Sequence, residues 1–138
     1  MKVFLSTQPF LSSWKRITIE HHEMIAIRNL TKTAIDVKIL RKVAKEIFRK
    51  DLSVALVGQK RAQELNKIYR KKTYVPNVLS FDYGEVVLCP AKIRKDARKY
   101  GIVFEQELGR IFRHGLLHLL GYSHTKMQKF VRDSNFRV

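Results

Sequence analysis

The sequence predicts an α+β fold in which a small mixed four-stranded sheet packs with about five helices. Short runs of β-branched and aliphatic residues alternate with longer segments whose apolar residues recur at helical spacing. The length of 138 residues and the apolar fraction of 45% suit one hydrophobic core. We therefore assign 24–138 to a single domain and 1–23 to an N-terminal extension of undefined role.

The predicted strands are short apolar runs bounded by turn residues: Met24–Asn29, Asp51–Gly58, Val78–Asp82 and Glu85–Cys89. The second has consecutive apolar residues from 54 to 57, which is typical of a strand covered on both faces. Cys89 is the only cysteine, so no intrachain disulfide can form, which fits a reducing compartment. Its apolar neighbours predict a buried thiol.

The predicted helices are Asp36–Lys50, Arg61–Tyr69, Pro90–Tyr100, Glu105–Leu120 and Lys126–Phe136. Asp36 is a suitable cap for the first helix, and Pro90 is well placed to begin the third. In the second helix, Ala62, Leu65 and Ile68 are spaced to face inward. The fourth is expected to be the central helix, and its apolar stripe comprises Phe104, Leu108, Ile111, Phe112, Leu116 and Leu119.

Three histidines follow the pattern H-x-x-x-H-x-x-G-x-x-H in and just beyond the fourth helix. His114 and His118 are four residues apart and therefore share one helix face. Gly121 is expected to end the helix in the left-handed conformation, so that the chain can return with His124. Three imidazoles and an open fourth position are typical of a catalytic zinc site, which predicts one Zn²⁺ per chain.

Gly115 sets this pattern apart from the zinc-protease motif H-E-x-x-H-x-x-G-x-x-H. The proteases have a glutamate after the first histidine, and it serves as the general base. A glycine cannot accept a proton, so the ligand spacing is kept while peptide cleavage is disfavoured. Glu107, on the same helix, and Glu85, on the fourth strand, are alternative bases between which the sequence does not decide.

The charge predicts a polyanionic partner. The chain has 28 Lys and Arg residues against 12 Asp and Glu residues, a formal net charge of +16. Such an excess is the electrostatic signature of a nucleic-acid-binding protein. An anionic membrane surface would also attract it, but no segment has the ~20 consecutive apolar residues of a membrane span. Tyr74 and Tyr83, in expected loops, are candidates for stacking on unpaired bases.

Two motifs resemble those of the YbeY family of endoribonucleases. His114–His124 is similar to the family signature H-G-x-L-H-L-x-G-[YF]-x-H, and Leu65–Lys72 is similar to L-N-x-x-Y-R-x-K. The segment Val78–Phe81 after Pro76 also matches the family's V-L-S-F. In this chain Ser123 stands where the family usually has an aspartate before the last histidine.

The resemblance implies a zinc-dependent endoribonuclease specific for single strands, acting in ribosomal RNA maturation at the small-subunit 3′ end and in ribosome quality control. It implies that His114, His118 and His124 bind the metal and that His114 and Arg70 are catalytic. It also implies partners among ribosomal RNA and ribosomal proteins, and a cytoplasmic location, or an organellar one if 1–23 is a presequence.

Two alternatives are kept. A ribosome-assembly factor with a structural metal would explain the charge and the missing base equally well, and it predicts that losing a histidine costs folding. A metalloprotease is disfavoured by Gly115 and by the charge.

Overall fold

The computed structural model describes residues 24–48 and 50–121, which form one four-stranded sheet and four helices. The strands are β1 (Ile25–Asn29), β2 (Leu52–Leu56), β3 (Val78–Phe81) and β4 (Glu85–Leu88). The helices are α1 (Lys38–Ile47), α2 (Gln59–Arg70), α3 (Pro90–Tyr100) and α4 (Phe104–Leu119). The α+β class and the four strands are confirmed, whereas the predicted helix Lys126–Phe136 lies outside the described residues.

The sheet is mixed, with the strand order β1-β2-β4-β3. β1, β2 and β4 are parallel neighbours, and β3 runs antiparallel to β4 at the edge. Every residue of β2 is buried, as the uninterrupted apolar run predicted. Gly84 turns β3 into β4 with φ +94°, and a Cβ there would lie 2.9 Å from the carbonyl oxygen of Asp51, so the turn requires glycine.

Two apolar clusters lie on opposite faces of the sheet, because alternate strand residues point to opposite sides. Val54 and Val86 contribute to the larger cluster, which α1, α3 and α4 cover. Ala55 and Val87 contribute to the smaller one, which α2 covers. Cys89 belongs to the smaller cluster and is buried as predicted, and burial raises the pKa of its thiol.

The first two helices depart from the sequence-based expectations. α1 is shorter than predicted at both ends: its N-cap is Val37, while the Asp36 carboxylate accepts a hydrogen bond from the Lys38 N–H at 3.0 Å. In α2 the prediction for Ile68 is wrong, since 56% of this residue is exposed. Asn66 is buried instead, and its Nδ2 donates to the Tyr74 carbonyl at 2.9 Å, which ties the loop after α2 to the helix.

α4 lies against α1, α3, β3 and β4. Its buried stripe includes Leu108, Phe112 and Leu116, as predicted. On the α1 side, the buried Arg113 donates to Glu46 at 2.8 Å. Within residues 24–48 and 50–121, no helix has the length and apolar character needed to cross a membrane.

Candidate functional site

A cavity of about 720 Å³ opens along one side of α4. Arg110, His114 and His118 occur at intervals of four residues, so they form one stripe on the helix, and all three line this cavity. The imidazole rings of His114 and His118 have centroids 4.9 Å apart and are inclined at 76°. The predicted pair of histidines therefore shares one open site.

The end of α4 follows the expected pattern. The helix ends at Leu119, and Gly121 has φ +84°. Its N–H donates to the His118 carbonyl oxygen at 3.0 Å, which closes the last turn. His124, the third predicted ligand, lies outside the described residues. Within the described residues, no three His, Cys, Asp or Glu side chains are grouped to hold a metal ion.

Gly115 faces the sheet rather than the cavity. A Cβ at this position would lie 2.9 Å from Val78 Cγ2 and 3.0 Å from Ser80 Oγ. The Ser80 hydroxyl donates to the Gly115 carbonyl oxygen at 2.9 Å, so a side chain of β3 is hydrogen-bonded to the backbone of α4. The glutamate of the protease motif has no room here, which gives a packing reason for the glycine. Ser80 lines the cavity and also forms this contact.

Another part of the cavity lining comes from the end of α2 and the loop that follows it. Arg70, the last residue of α2, lines the cavity together with the exposed Tyr74 and the buried Pro76. Lys71 takes a left-handed conformation with φ 57°, which ends the helix at this point. The structure thus brings Arg70 to the same cavity as His114 and His118.

α3 supplies the third wall. Lys92 lies 3.1 Å from Asp96 Oδ1, and Asn77 Nδ2 donates to Asp96 Oδ2 at 3.3 Å. Lys99 and the exposed Tyr100 lie further along the same helix. Among the described residues of the cavity lining there are four cationic side chains and two carboxylates, so this lining favours an anion.

Arg110 was missed by the sequence analysis. Its Nε and Nη2 donate to the two carboxylate oxygens of Glu107 at 2.8 Å and 2.7 Å, and this bonding raises the pKa of the guanidinium. Glu107 is fully buried and does not line the cavity, which leaves it in a structural role. The sequence feature that could have identified Arg110 is its position four residues, or one helical turn, before His114.

Glu85 and Tyr83 do not line the cavity. Glu85 is buried, and desolvation raises its pKa to about 7, against the lowering effect of the Tyr83 hydrogen bond. Burial, followed by the charge of Glu85, raises the pKa of Tyr83 above its ordinary value, and its ring stacks on Phe81 with centroids 6.2 Å apart. Among the described residues that line the cavity, the sequence-based candidates Arg70, Tyr74, His114 and His118 are therefore present, whereas Glu85 and Tyr83 are not.

Known proteins resemble this chain over most of its length. The family described as "Endoribonuclease YbeY" matches residues 14–132. A protein of that name from Bdellovibrio bacteriovorus is 42% identical over 111 residues, covering 71% of this chain and 74% of the relative. Another, from Sulfurovum sp., is 32% identical over 131 residues, covering 85% and 89%. A solution structure from Thermotoga maritima is 30% identical with a TM-score of 0.51, covering 73% of this chain and 75% of that chain.

Proposed function

Because the chain belongs to the YbeY family of endoribonucleases, we propose that it hydrolyses single-stranded RNA in a zinc-dependent reaction. The proposed substrate is ribosomal RNA, with cleavage during maturation of the small-subunit 3′ end and in ribosome quality control. One observation carries the proposal: Arg70, His114 and His118 converge on a single cavity whose lining has more cations than carboxylates. This combination provides a metal-binding stripe and a phosphate-binding side chain in the same cavity.

The described histidines fit a zinc ion. Two imidazoles that bind one tetrahedral zinc at about 2.0–2.1 Å have ring centres roughly 5 Å apart. The centroids of His114 and His118 are separated by 4.9 Å, and both rings line the cavity. In this proposal His124 is the third ligand. When bound, zinc supplies a water whose pKa is lowered to about 7.

The chain's own residues bind and orient the substrate. Arg70 pairs with the scissile phosphate, because a planar guanidinium can donate two parallel hydrogen bonds to phosphate oxygens. The hydrogen bond from Ser80 to Gly115 fixes α4 against β3, which holds His114 and His118 relative to the wall that carries Arg70. The tie between Asn66 and Tyr74 fixes the start of that wall's loop.

Two tyrosines support a preference for unpaired RNA. Tyr74 is 54% exposed and Tyr100 is 60% exposed, and both line the cavity. Exposed aromatic rings at the edge of a cationic site can stack on bases that are free of a duplex. The sequence suggested Tyr83 as a residue that stacks on unpaired bases, and in this proposal Tyr100 has that role instead.

The net charge of +16 supports ribosomal RNA as the polymer, since a long polyanion can contact cations beyond the cavity. We propose ribosomal proteins as further partners and the cytoplasm, or an organelle, as the compartment. Both follow from family membership and from the charge.

The test uses the purified full chain and its His118→Ala variant. Zinc content is measured by mass spectrometry, and cleavage is measured on a single-stranded RNA and on a duplex of the same sequence. We expect about one zinc per chain and cleavage of the single strand alone. His118→Ala should lose both zinc and cleavage while its circular dichroism spectrum is retained. Lys60→Ala, at the start of α2 and away from the cavity, is the matched control.

Two results would contradict the proposal. Bound zinc without any RNA cleavage would indicate an assembly factor with a structural metal, especially if His118→Ala also unfolds. Zinc-dependent cleavage of casein would revive the protease alternative.

A further inference from the structure

We propose that Arg110 is a second phosphate-binding residue of the cavity and that Glu107 positions it. This inference rests on the proposed function, because it assigns the anion at Arg110 to the RNA backbone. Arg110 precedes His114 by one helical turn, about 6 Å along the axis. It lines the same cavity as His114 and Arg70. In this proposal, a strand whose scissile phosphate is held by Arg70 presents another of its phosphates to Arg110.

The Glu107 carboxylate fixes the guanidinium in one orientation. Both carboxylate oxygens are used, at 2.8 Å to Nε and 2.7 Å to Nη2. The Glu107 side chain is 1% exposed and that of Arg110 is 46% exposed, so the pair is buried at the carboxylate end and open at the cationic end. A guanidinium has five N–H donors, and the two bonds to Glu107 leave three of them on the outer edge.

A second arginine–glutamate pair shows what an ordinary surface contact looks like in this protein. Arg61 and Glu64 are also three residues apart, but their closest atoms are 3.7 Å apart, and their side chains are 52% and 50% exposed. Neither lines the cavity. Water competes for both groups in that pair, whereas the buried carboxylate of Glu107 leaves Arg110 little freedom to move.

The carboxylate does not cancel the attraction for phosphate. Glu107 offsets part of the Arg110 charge, yet the cavity keeps a cationic excess from Arg70, Lys92 and Lys99. What the pairing adds is preorganisation, since a fixed planar fork loses little side-chain entropy when phosphate binds. Arg110 therefore contributes through the direction of its donors as well as through its charge.

The test measures binding of a 12-nucleotide single-stranded RNA in EDTA, so that neither zinc nor cleavage contributes. Arg110→Gln should weaken binding about tenfold, as expected for a charge-assisted hydrogen bond to phosphate. The slope of log K against log salt should fall by about 0.7, the value for one phosphate contact on a single strand. Arg61→Gln removes the same charge from a pair outside the cavity and should change affinity less than about twofold.

Glu107→Gln tests the positioning role. It removes a negative charge, so a purely electrostatic effect would tighten RNA binding. We expect binding to weaken about threefold instead, with the salt slope unchanged because Arg110 keeps its charge. In the Glu107→Gln background, Arg110→Gln should cost only about threefold, and this reduction measures the coupling between the two residues.

The outcomes separate this inference from the proposed function. If the wild type neither binds nor cleaves the RNA, the proposed function fails and this inference fails with it. If the wild type does both but Arg110→Gln behaves like Arg61→Gln, only the role of Arg110 is overturned. Should Arg110→Gln lose its fold, the double variant Glu107→Gln/Arg110→Gln avoids leaving the buried Glu107 carboxylate without its cation. The comparison is then between this double variant and Glu107→Gln.

Discussion

Glu107 and Glu85 are both buried, but their surroundings give the two carboxylates different properties. Glu107 on α4 accepts two short hydrogen bonds from Arg110, which itself reaches the cavity. Glu85 on β4 lies next to Tyr83 and does not line the cavity, and desolvation raises its pKa to about 7. Burial alone disfavours a charged carboxylate, and a bidentate guanidinium offsets that cost.

The difference between the surroundings of Glu107 and Glu85 explains how a buried carboxylate can support a positive charge in the cavity. The buried carboxylate of Glu107 holds the Arg110 guanidinium at the cavity, where the guanidinium can contact a ligand. At Glu85 desolvation by burial outweighs the hydrogen bond from Tyr83, and the pKa of the carboxyl is raised to about 7.

Gly115→Glu would add a third buried carboxylate, at the contact between α4 and β3. A Cβ there lies 2.9 Å from Val78 Cγ2, and the carboxylate would follow it into the apolar contact with the sheet. We expect the free energy of unfolding to fall by more than about 4 kcal/mol, because overpacking and a buried charge combine. Denaturation followed by circular dichroism measures the loss.

Gly115→Ala is the matched control, with the Cβ but without the charge. It should cost about 1–3 kcal/mol, although alanine normally stabilises a helix relative to glycine. A stable Gly115→Glu variant would show that α4 can move away from β3 and that the packing explanation for the glycine is wrong.

Arg110→Ala would convert Glu107 into a buried carboxylate without its cation. The expected loss of stability is about 3 kcal/mol, the lower range for breaking a buried ion pair. Urea denaturation of Arg110→Ala and of the double variant Glu107→Gln/Arg110→Ala measures it, and the double variant should recover most of the loss. Arg61→Ala, in the exposed pair with Glu64, should change stability by less than about 0.5 kcal/mol. If Arg110→Ala and Arg61→Ala lost equal stability, the pair of Arg110 and Glu107 would be no stronger than an exposed pair. The proposed difference between Glu107 and Glu85 would then be wrong.

Glu85→Gln should change how stability depends on pH. The pKa of Glu85 is raised to about 7 in the folded chain from 4.5 in the unfolded one, so between these values the folded state holds a proton that the unfolded state has released. Stability of the wild type therefore falls as pH rises through this window, by about 2–3 kcal/mol between pH 5 and pH 8.

The glutamine variant lacks this titration, so its stability relative to the wild type should increase with pH over the same range. Urea denaturation at pH 5, 6, 7 and 8 measures the difference. Parallel stability curves for the two proteins would show that Glu85 has an ordinary pKa in the folded state.

Local sequence patterns predicted the elements, whereas contacts between distant segments decided the details of the site. The uninterrupted apolar run of β2 and the proline that begins α3 were sufficient for those elements. Ile68 was assigned inward on spacing alone, but the fully buried Asn66 takes that face because it bonds the Tyr74 carbonyl. A sequence does not show that an amide side chain will hold a loop eight residues away.

In the cavity, too, local spacing predicted some residues, whereas contacts between distant segments were needed to explain others. The four-residue spacing predicted that His114 and His118 share a face, and the family resemblance pointed to Arg70. Arg110 fits the same spacing, but the chain has 28 Lys and Arg residues, so the spacing alone did not single it out. Its pairing with the buried Glu107 is visible only in the structure. The reason for Gly115 lies in Val78 and Ser80, which are distant in sequence and meet it only through the packing of β3 on α4.

Ser80→Ala provides the neutral counterpart to the charged pairs. The Ser80 hydroxyl donates to the Gly115 carbonyl oxygen at 2.9 Å, and both partners are uncharged. Its loss should cost about 1 kcal/mol, since an ordinary intramolecular hydrogen bond contributes roughly that amount once exchange with water is counted. Denaturation of Ser80→Ala beside Thr73→Ala, which removes a hydroxyl from an exposed residue, isolates the contact. A loss as large as that of Arg110→Ala would mean that the junction of β3 and α4, rather than the pairing of charge, sets the stability of this side of the cavity.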